Sequence, residues 1–417
     1  MITSVEVRGY RALRAVAVPL SGFQVLVGPN ASGKSTFFDA LAFVRDVMQV
    51  GLESAIFGNL RVNVPMRAAD PLELSWRREG APIELALVAD IPDSKRRDDI
   101  HRRLRYELSI ETRGELRFAN ETLWLCPADN GGEQRQRERF PVDSQSSPSI
   151  IHGTTPRGWR KVVSKTQSGN DYFKAESSDW NNQFRLGPSK SALANLPEDE
   201  QRFPLAIWFK RLLMEETYVL SLNAEAMRLP SPAGSSAKLL PDGANLAWAV
   251  HALETAEPER LSSWIGHLQS SLRDLRAVRT REKPEDRSRY VEVEYANGLT
   301  TPSWLLSDGT LRMLALTILA YARSSPATIL IEEPENGIHP QAIETVIQSL
   351  QSVYDAQLFL ATHSPVVLSL LRSEQLLCFG KAESGAVDIV AGNQHPRLRE
   401  WKAAVHLGDL LATGVLG

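Results

Sequence analysis

A glycine-rich run near the N-terminus, GPNASGKST, has the residue types that bind phosphate. It begins at Gly28, and Gly33 and Lys34 form its GK pair. Glycines let backbone N–H groups converge on phosphate oxygens, and the N-terminus of a following helix attracts negative charge. The strand-like QVLV precedes the run and a helical pattern follows it, which is the context such a loop requires. We therefore predict that Lys34 reaches the β- and γ-phosphates of a nucleotide and that Ser35 ligates Mg²⁺.

Two adjacent acids, Glu332 and Glu333, come directly after the apolar run ILI. Buried strands rarely end on paired carboxylates, because an unpaired buried charge costs roughly several kcal/mol. At the carboxyl end of a parallel strand, however, side chains face the ligand crevice. Neighbours on an extended chain point to opposite sides, so the two acids need different partners. We predict that Glu332 lies near Mg²⁺, through water, and that Glu333 activates the attacking water. The alternative is a solvated acidic turn that begins at Pro334.

Two further segments carry polar residues where helices or turns are predicted to begin. LSDGT opens a helix, and Ser307 and Asp308 are good N-cap residues, so an ordinary capped helix is one interpretation. The other is a second phosphate-binding helix start that uses Ser307 and Gly309. His363 follows the apolar strand LFLA. A histidine there is often structural, but it could also contact the γ-phosphate.

The hydrophobic pattern predicts strands at residues 2–7 and 23–27 and a helix over about 34–49. Alternating runs follow, PLELSW, IELALVADI, LRYELSIE and LRFANETLWL, and they indicate an antiparallel sheet. Helices are predicted near 203–216 and, with breaks, from NLAWAVHAL to about Arg281. The strand YVEVEY comes next. In the last hundred residues strands and helices alternate, as in a parallel α/β sheet.

The segments GPNASGKST, LLSDGTLRMLAL, ILIEEPENGIHP and ATHSP stand in the order found in ABC-type ATPases. The chain resembles the RecF/SMC/OLD branch of that class, and within it the bacterial AAA family ATPases similar to OLD-like, Septu and retron-associated antiphage subunits. The resemblance implies an α/β fold: an ABC-ATPase head, which is a P-loop NTPase. It has a mixed or parallel central sheet, an antiparallel β-subdomain and an inserted α/β-irregular region.

The resemblance also assigns roles to residues. The nucleotide, ATP with Mg²⁺, would be bound by Gly28, Asn30, Ser32, Gly33, Lys34, Ser35 and Thr36. Ser307 and Gly309 would contact the γ-phosphate of ATP that a second subunit holds. Ser35 and Glu332 would hold the metal, although Glu332 stands where the family usually has Asp. Glu333, Lys34 and His363 would be catalytic, and Asn336 and Gly337 match the segment called the D-loop.

The motifs divide the 417-residue chain into three parts, since it exceeds a typical domain of about 150 residues. Residues 1–130 would form a first ATPase lobe with the phosphate loop and antiparallel strands. Residues 131–285 would be an insertion of loops and hairpins followed by helices. Residues 286–417 would form a second lobe with LSDGT, the glutamates and His363.

Composition narrows the cellular setting and the partners. Two cysteines cannot form a disulfide framework, and no apolar run approaches the about 18 residues of a membrane helix, so we expect a cytoplasmic protein without membrane contact. The resemblance implies a homodimer or a higher homo-oligomer. The chain ends soon after His363, which leaves no room for a nuclease domain. We therefore expect a separately encoded effector, bound through the middle of the chain or the tail WKAAVHLGDLLATGVLG.

Nucleic acid is a possible partner, although the net charge of −3 restricts such a surface to a local patch. Two mixed-charge runs, SKRRDDIHRRLRY and RDLRAVRTREKPEDRSR, are candidates, and a solvated helical face is the plainer interpretation of the first. Three functions remain open: an ATPase that controls an antiphage effector (in one variant a low-turnover scaffold), a RecF-type DNA repair ATPase, and a transporter ATPase subunit. The long separation between Gly28 and Ser307 disfavours the transporter.

Overall fold

The computed structural model describes residues 1–62, 64–128, 137–143, 148–166, 169–322, 327–354 and 356–398. In chain order its strands are β1 (Ile2–Tyr10), β2 (Leu13–Pro19), β3 (Phe23–Val27), β4 (Ile83–Asp90), β5 (His101–Glu111), β6 (Arg117–Pro127), β7 (Arg160–Lys165), β8 (Asp171–Lys174), β9 (Asn181–Phe184), β10 (Thr217–Leu220), β11 (Leu275–Glu282), β12 (Arg289–Tyr295), β13 (Thr300–Pro302), β14 (Thr328–Glu332), β15 (Gln357–Ala361), β16 (Leu376–Lys381) and β17 (Val387–Ala391).

The helices are α1 (Lys34–Phe57), α2 (Pro204–Met214), α3 (Ala224–Arg228), α4 (Leu246–Ala256), α5 (Pro258–Gln269), α6 (Asp308–Thr317), α7 (Pro340–Gln351) and α8 (Pro365–Ser369). The predicted tail at residues 401–417 lies outside the described residues. In the described part of the chain, no helix is both long enough and apolar enough to cross a membrane.

A six-stranded sheet in the order β10-β14-β15-β3-β16-β17 forms the centre of the fold. Neighbouring strands from β10 to β16 are parallel, and β17 returns antiparallel to β16. The strands from the two ends of the sequence thus meet in one sheet, since β3 lies between β15 and β16. Because the strands are parallel, their carboxyl ends meet at one edge, where ligands bind in such sheets.

Both faces of the central sheet are buried. Leu26, Leu330 and Phe359 belong to one apolar cluster, whereas their chain neighbours Val25, Ile329 and Leu358 belong to a second. This alternation follows from the period of two along a strand. The first cluster also contains α1, α2 and the inner face of an eight-stranded antiparallel sheet. The second contains α4, α6, α7 and α8. The central sheet is therefore the middle layer of the fold.

Two further sheets complete the fold. The eight-stranded sheet has the order β2-β1-β4-β5-β6-β7-β8-β9, with antiparallel pairing throughout. A three-stranded sheet, β11-β12-β13, packs against α4 and α5. It leads through residues 303–307 directly into α6.

Three predictions about local structure need correction. PLELSW is not a strand: Asp70 caps a 3₁₀ turn by accepting a hydrogen bond from the amide of Leu72 at 3.0 Å, and Pro71 occupies its first position. The predicted helix up to about Arg281 gives way to β11, because YVEVEY supplies an antiparallel partner strand. Finally, α1 extends beyond residue 49, with non-helical geometry at Gly51 (φ 82°).

Candidate functional site

The loop between β3 and α1, residues 28–36, is called the phosphate loop below. Its glycines are required by packing as well as by backbone geometry. Gly28 has φ 152° and Gly33 has φ 100°. A Cβ at Gly28 would lie 2.3 Å from the carbonyl oxygen of Phe379, and one at Gly33 would lie 2.6 Å from Cγ2 of Val387. The β16–β17 hairpin thus supports the loop, and any side chain at either glycine would displace it.

Lys34 lies folded over the phosphate loop. Its Nζ donates hydrogen bonds to the carbonyl oxygens of Gly28 at 2.8 Å and Pro29 at 2.9 Å, and to Oγ of Ser32 at 3.4 Å. Burial lowers the pKa of Lys34 to about 8, while the carboxylates of Glu332 and Glu333 oppose this shift. The ammonium group is therefore at the centre of the loop and within the electrostatic reach of both predicted acids.

The remaining residues of the phosphate loop differ in exposure. Asn30 and Ser35 are exposed, Thr36 is half-buried and Ser32 is buried. Ser35 is thus exposed at the N-terminus of α1, which is where an anion is favoured.

The pairing of the strands aligns the predicted site residues. Glu332 pairs with Ala361, and Ala361 pairs with Leu26. These three residues form one row across β14, β15 and β3. The residues just beyond the row are Glu333, His363 and the phosphate loop, so the chain leaves all three strands at the same edge. The fold therefore brings together in space three segments that are far apart in the sequence.

Glu333 begins the turn at residues 333–337, the acidic turn. Its φ is 46°, a left-handed conformation that costs a non-glycine residue about 1–2 kcal/mol. Its amide donates to the carbonyl oxygen of Ala361 at 2.8 Å, and its own carbonyl oxygen accepts from the amide of Asn336 at 2.9 Å. The carboxylate is exposed. In this conformation the exposed carboxylate lies within the electrostatic reach of Lys34 and His363.

His363 lies in the turn at residues 362–364, the histidine turn, and is half-buried. Burial lowers the pKa of His363, the nearby charge of Lys34 lowers it further, and Glu333 opposes both. The lowered pKa favours the neutral imidazole, and the charges of Lys34 and Glu333 both act on it.

Glu335, which the sequence did not single out, also belongs to this site. Its Oε1 accepts a hydrogen bond from Oγ1 of Thr362, and that hydroxyl oxygen accepts from the amide of Ser364 at 2.9 Å. Burial raises the pKa of Glu335. The signal available in the sequence was the third acid of EEPE, which resembles an ordinary surface glutamate.

The predicted second phosphate-binding element, at residues 307–310, forms the start of α6. Ser307 is the N-cap, and its Oγ accepts from the amide of Thr310 at 3.2 Å. Asp308 pairs with Arg228. A Cβ on Gly309 would lie 2.6 Å from the carbonyl oxygen of Gly337. The α6 start therefore packs against the acidic turn of its own chain.

Within the described ranges, none of the hydrogen bonds or ion pairs of residues 307–310 reaches the phosphate loop. Ser307 and Asp308 at the α6 start are exposed.

The residues present suit a magnesium ion. Ser35 and Glu332 offer a hydroxyl and a carboxylate, both exposed, and hard oxygen donors are what Mg²⁺ prefers. Glu332 lies near enough to Lys34 to raise its pKa. Mg²⁺ is commonly held by one or two protein oxygens together with phosphates and water, so this donor set fits.

The first basic run does not form the helical face that we predicted. All of HRRLRY belongs to β5, where Arg105 is buried and pairs with Glu6 on β1 and with Glu107 at 2.6 Å each. Arg103 pairs with Asp90 on β4 at 3.1 Å. These arginines therefore form ion pairs within the antiparallel sheet.

In the second basic run, on β11, Arg281 pairs with Glu292 at 3.0 Å and Arg276 with Glu294 at 3.3 Å. Acidic residues of β12 therefore balance much of its charge.

Together, the fold and this edge of the central sheet define an ABC-type ATPase head, that is, a P-loop NTPase. A family model described as "AAA domain, putative AbiEii toxin, Type IV TA system" matches residues 23–369. The chain belongs to this AAA-domain family.

Solved structures agree with the fold. An Smc head bound to the C-winged helix domain of ScpA has 14% sequence identity and a TM-score of 0.54, covering 93% of this chain and 97% of that one. An Smc head with an extended coiled coil, bound to the C-terminal domain of ScpA from Pyrococcus furiosus, has 14% identity and a TM-score of 0.51, covering 93% and 95%. A search of curated proteins found no match. The predicted fold class is thus confirmed.

Proposed function

We propose that this chain binds and hydrolyses ATP, that two copies close on the nucleotide, and that this cycle controls a separately encoded effector in antiphage defence. The observation that carries the first part is the meeting of Lys34, Glu332 and Glu333 at one edge of the central sheet. This arrangement brings a phosphate-binding cation and two acids with different orientations to the same ligand.

ATP binding would use the phosphate loop. Its backbone amides and the N-terminus of α1 attract the phosphates. Lys34 donates to the carbonyl oxygens of Gly28 and Pro29, and the phosphate oxygens would take over these hydrogen bonds. The charge of the nucleotide also raises the proton affinity of Lys34, so the ammonium form is the one that binds.

Hydrolysis would use Glu333 as the general base. Its exposed carboxylate lies at the open edge, and its charge acts on both Lys34 and His363. A neutral His363 can donate or accept a hydrogen bond at the γ-phosphate and so report its presence. Bound Mg²⁺, held by Ser35 and Glu332, would neutralise charge on the phosphates.

The closed form would be a dimer with nucleotide between the copies. Within the described ranges the α6 start forms no hydrogen bond to its own phosphate loop, and Ser307 is exposed. Its N–H groups could meet the γ-phosphate held by a second copy. ATP would then favour the closed state through its higher affinity for that state, and hydrolysis would release it.

The effector is the part of the proposal that rests on the family. The matching description names a toxin of a type IV toxin–antitoxin system, and the sequence resembles antiphage ATPase subunits. We propose that the effector binds the region between residues 131 and 285 or the C-terminal tail. Co-purification with the product of the neighbouring gene, with and without ATP and Mg²⁺, followed by mass measurement, tests this step.

The experiment for the catalytic part is a comparison of purified wild type and Lys34→Ala. Wild type should bind ATP and release phosphate in the presence of Mg²⁺, and Lys34→Ala should do neither. The α1 variant Glu53→Ala is a matched control, because Glu53 is exposed on the same helix. Failure of the folded wild type to bind adenine nucleotides would refute the proposal.

A further inference from the structure

The acidic turn and the histidine turn are joined by one side chain, that of Glu335. Its Oε1 accepts the hydrogen bond of Thr362 Oγ1. Thr362 is fully buried, and its amide donates to the carbonyl oxygen of Leu26 at 3.3 Å. Glu335 on the β14 side is therefore connected through Thr362 to β15 and to β3, the strand that carries the phosphate loop.

The same hydroxyl also fixes the residue after His363. Oγ1 of Thr362 accepts the amide of Ser364 at 2.9 Å, and Oγ of Ser364 caps α8 by accepting the amide of Val367 at 3.4 Å. His363 is thus held between two residues that depend on one hydroxyl, and Glu335 orients that hydroxyl.

On the other side, Glu335 belongs to the turn that displays Glu333. The carbonyl oxygen of Glu333 accepts from Asn336, and the carbonyl oxygen of Glu335 accepts from Ile338 at 3.0 Å. Because Glu333 has φ 46°, its conformation needs support from its surroundings. A connection from this turn to Thr362, a buried residue of the histidine turn, supplies that support.

The carboxyl group of Glu335 also interacts with His363 itself. Burial raises the pKa of Glu335, whereas the hydrogen bond from Thr362 and one from the backbone of His363 oppose this shift. Burying a carboxyl group carries a desolvation cost, which such hydrogen bonds offset.

We propose that Glu335 is a positioning residue for ATP hydrolysis: through Thr362 it holds Glu333 and His363 in the mutual arrangement that the attacking water requires. The inference rests on the proposed function, because it assigns a role within the same reaction. Glu335 itself does not contact the nucleotide or the water. Removing it should therefore lower the rate of the chemical step while leaving nucleotide binding intact.

The test is steady-state ATP hydrolysis and direct ATP binding by four variants. Glu335→Ala and Thr362→Val each remove the connection, and a misplacement of about 1 Å can cost about 100-fold in rate. We expect kcat to fall by about 10- to 100-fold in both, with KM and ATP affinity within about threefold of wild type. Glu335→Gln and Thr362→Ser keep an acceptor and a donor, respectively, and should retain kcat within about fivefold.

The double variant Glu335→Ala/Thr362→Val should be no slower than the worse single variant, because both changes break one connection. Glu344→Ala, an exposed glutamate on α7, is the matched control and should leave kcat unchanged. If Glu335→Ala fails to fold, the kcat and ATP affinity of the near-isosteric variants Thr362→Val and Thr362→Ser test the inference by themselves.

Three results would overturn the inference. They are an unchanged kcat in Glu335→Ala or Thr362→Val, a loss of ATP binding equal to the loss of kcat, and an inactive Glu335→Gln, which would make the carboxylate itself a catalytic group. A wild type that binds ATP but never hydrolyses it would instead refute the proposed function, so the two failures are distinguishable.

Discussion

Gly309 and Gly337 lie so close that a Cβ on the first would be 2.6 Å from the carbonyl oxygen of the second. This contact fixes the α6 start, the proposed binding element for a partner's nucleotide, against the acidic turn that carries Glu333. A change in the acidic turn on hydrolysis would therefore be transmitted to the α6 start, which is the proposed contact with the second copy.

Gly309→Ala should disturb this contact. Overpacking against backbone typically costs about 1–3 kcal/mol, and we expect a lower free energy of unfolding in urea together with weaker ATP-dependent dimerisation. Gly266 in α5 has open space around its Cα, so Gly266→Ala should instead stabilise the protein by about 0.5–1 kcal/mol. Equal free energies of unfolding for Gly309→Ala and Gly266→Ala would show that the close contact between Gly309 and Gly337 does not affect stability.

Glu333→Gln should separate ATP binding from hydrolysis. General base catalysis contributes about 10²–10⁴-fold to rates, so hydrolysis should fall by at least about 100-fold while ATP affinity remains. The variant should also retain ATP and remain in the closed state, which size measurement in ATP and Mg²⁺ would detect. Hydrolysis at the wild-type rate would remove Glu333 from its assigned role.

The lowered pKa of Lys34 predicts a pH dependence of stability in the nucleotide-free protein. Its pKa is about 8 in the fold and 10.5 in the reference state, so the folded protein loses this proton first. Between these pH values the unfolded chain binds more protons, and the free energy of unfolding therefore rises with pH.

The size of this rise is at most about 3 kcal/mol, and less where solvent screens the ammonium group. Urea unfolding of wild type and Lys34→Met at pH 7.5 and pH 9.5 measures it, since the variant retains every other titrating group. Identical pH dependences in the two proteins would contradict the buried placement of Lys34.

Removing the side chain of Asp46 on α1 should strongly lower the free energy of unfolding. Its side chain is fully buried and pairs with Arg67 at 2.6 Å and Arg45 at 2.7 Å. Asp46→Ala leaves Arg67, itself 4% exposed, without one of its carboxylates, and breaking such a pair costs about 3–5 kcal/mol.

The exposed pair of Asp93 and Arg96 provides the comparison. Asp93→Ala should change the free energy of unfolding by less than about 1 kcal/mol. Urea unfolding of Asp46→Ala and Asp93→Ala at one pH measures both free energies of unfolding. A decrease below about 1 kcal/mol in Asp46→Ala would show that solvent reaches the ion pairs of Asp46 with Arg45 and Arg67.

The sequence predicted the elements whose signals are local. The phosphate loop was recognisable because its glycines, lysine and flanking strand lie within one short stretch, and the strands β14, β15 and β16 because they are short apolar runs. The predicted boundaries at 130/131 and 285/286 stay predictions, as do the catalytic roles of the site residues.

Elements that depend on distant partners were not predictable in this way. The strand β11 contains three arginines, Arg276, Arg279 and Arg281, and becomes a strand because β12 pairs with it. The role of Glu335 became visible only through its contact with Thr362, which lies in the histidine turn after β15. Charge runs alone likewise could not show that Arg105 is buried between Glu6 and Glu107.

Complementation between two inactive variants tests the proposed nucleotide sandwich most directly. Lys34→Ala keeps an intact α6 start, and Ser307→Arg keeps an intact phosphate loop. A mixed dimer would contain one complete site, made from the loop of one copy and the α6 start of the other.

Each variant alone should be inactive, and an equimolar mixture should recover about one quarter of the wild-type ATPase rate by random pairing of subunits. Wild type mixed with Lys34→Ala serves as the control for subunit exchange. Recovery near that level is the result we predict. No recovery in the mixture, with exchange demonstrated, would contradict a site shared between two copies.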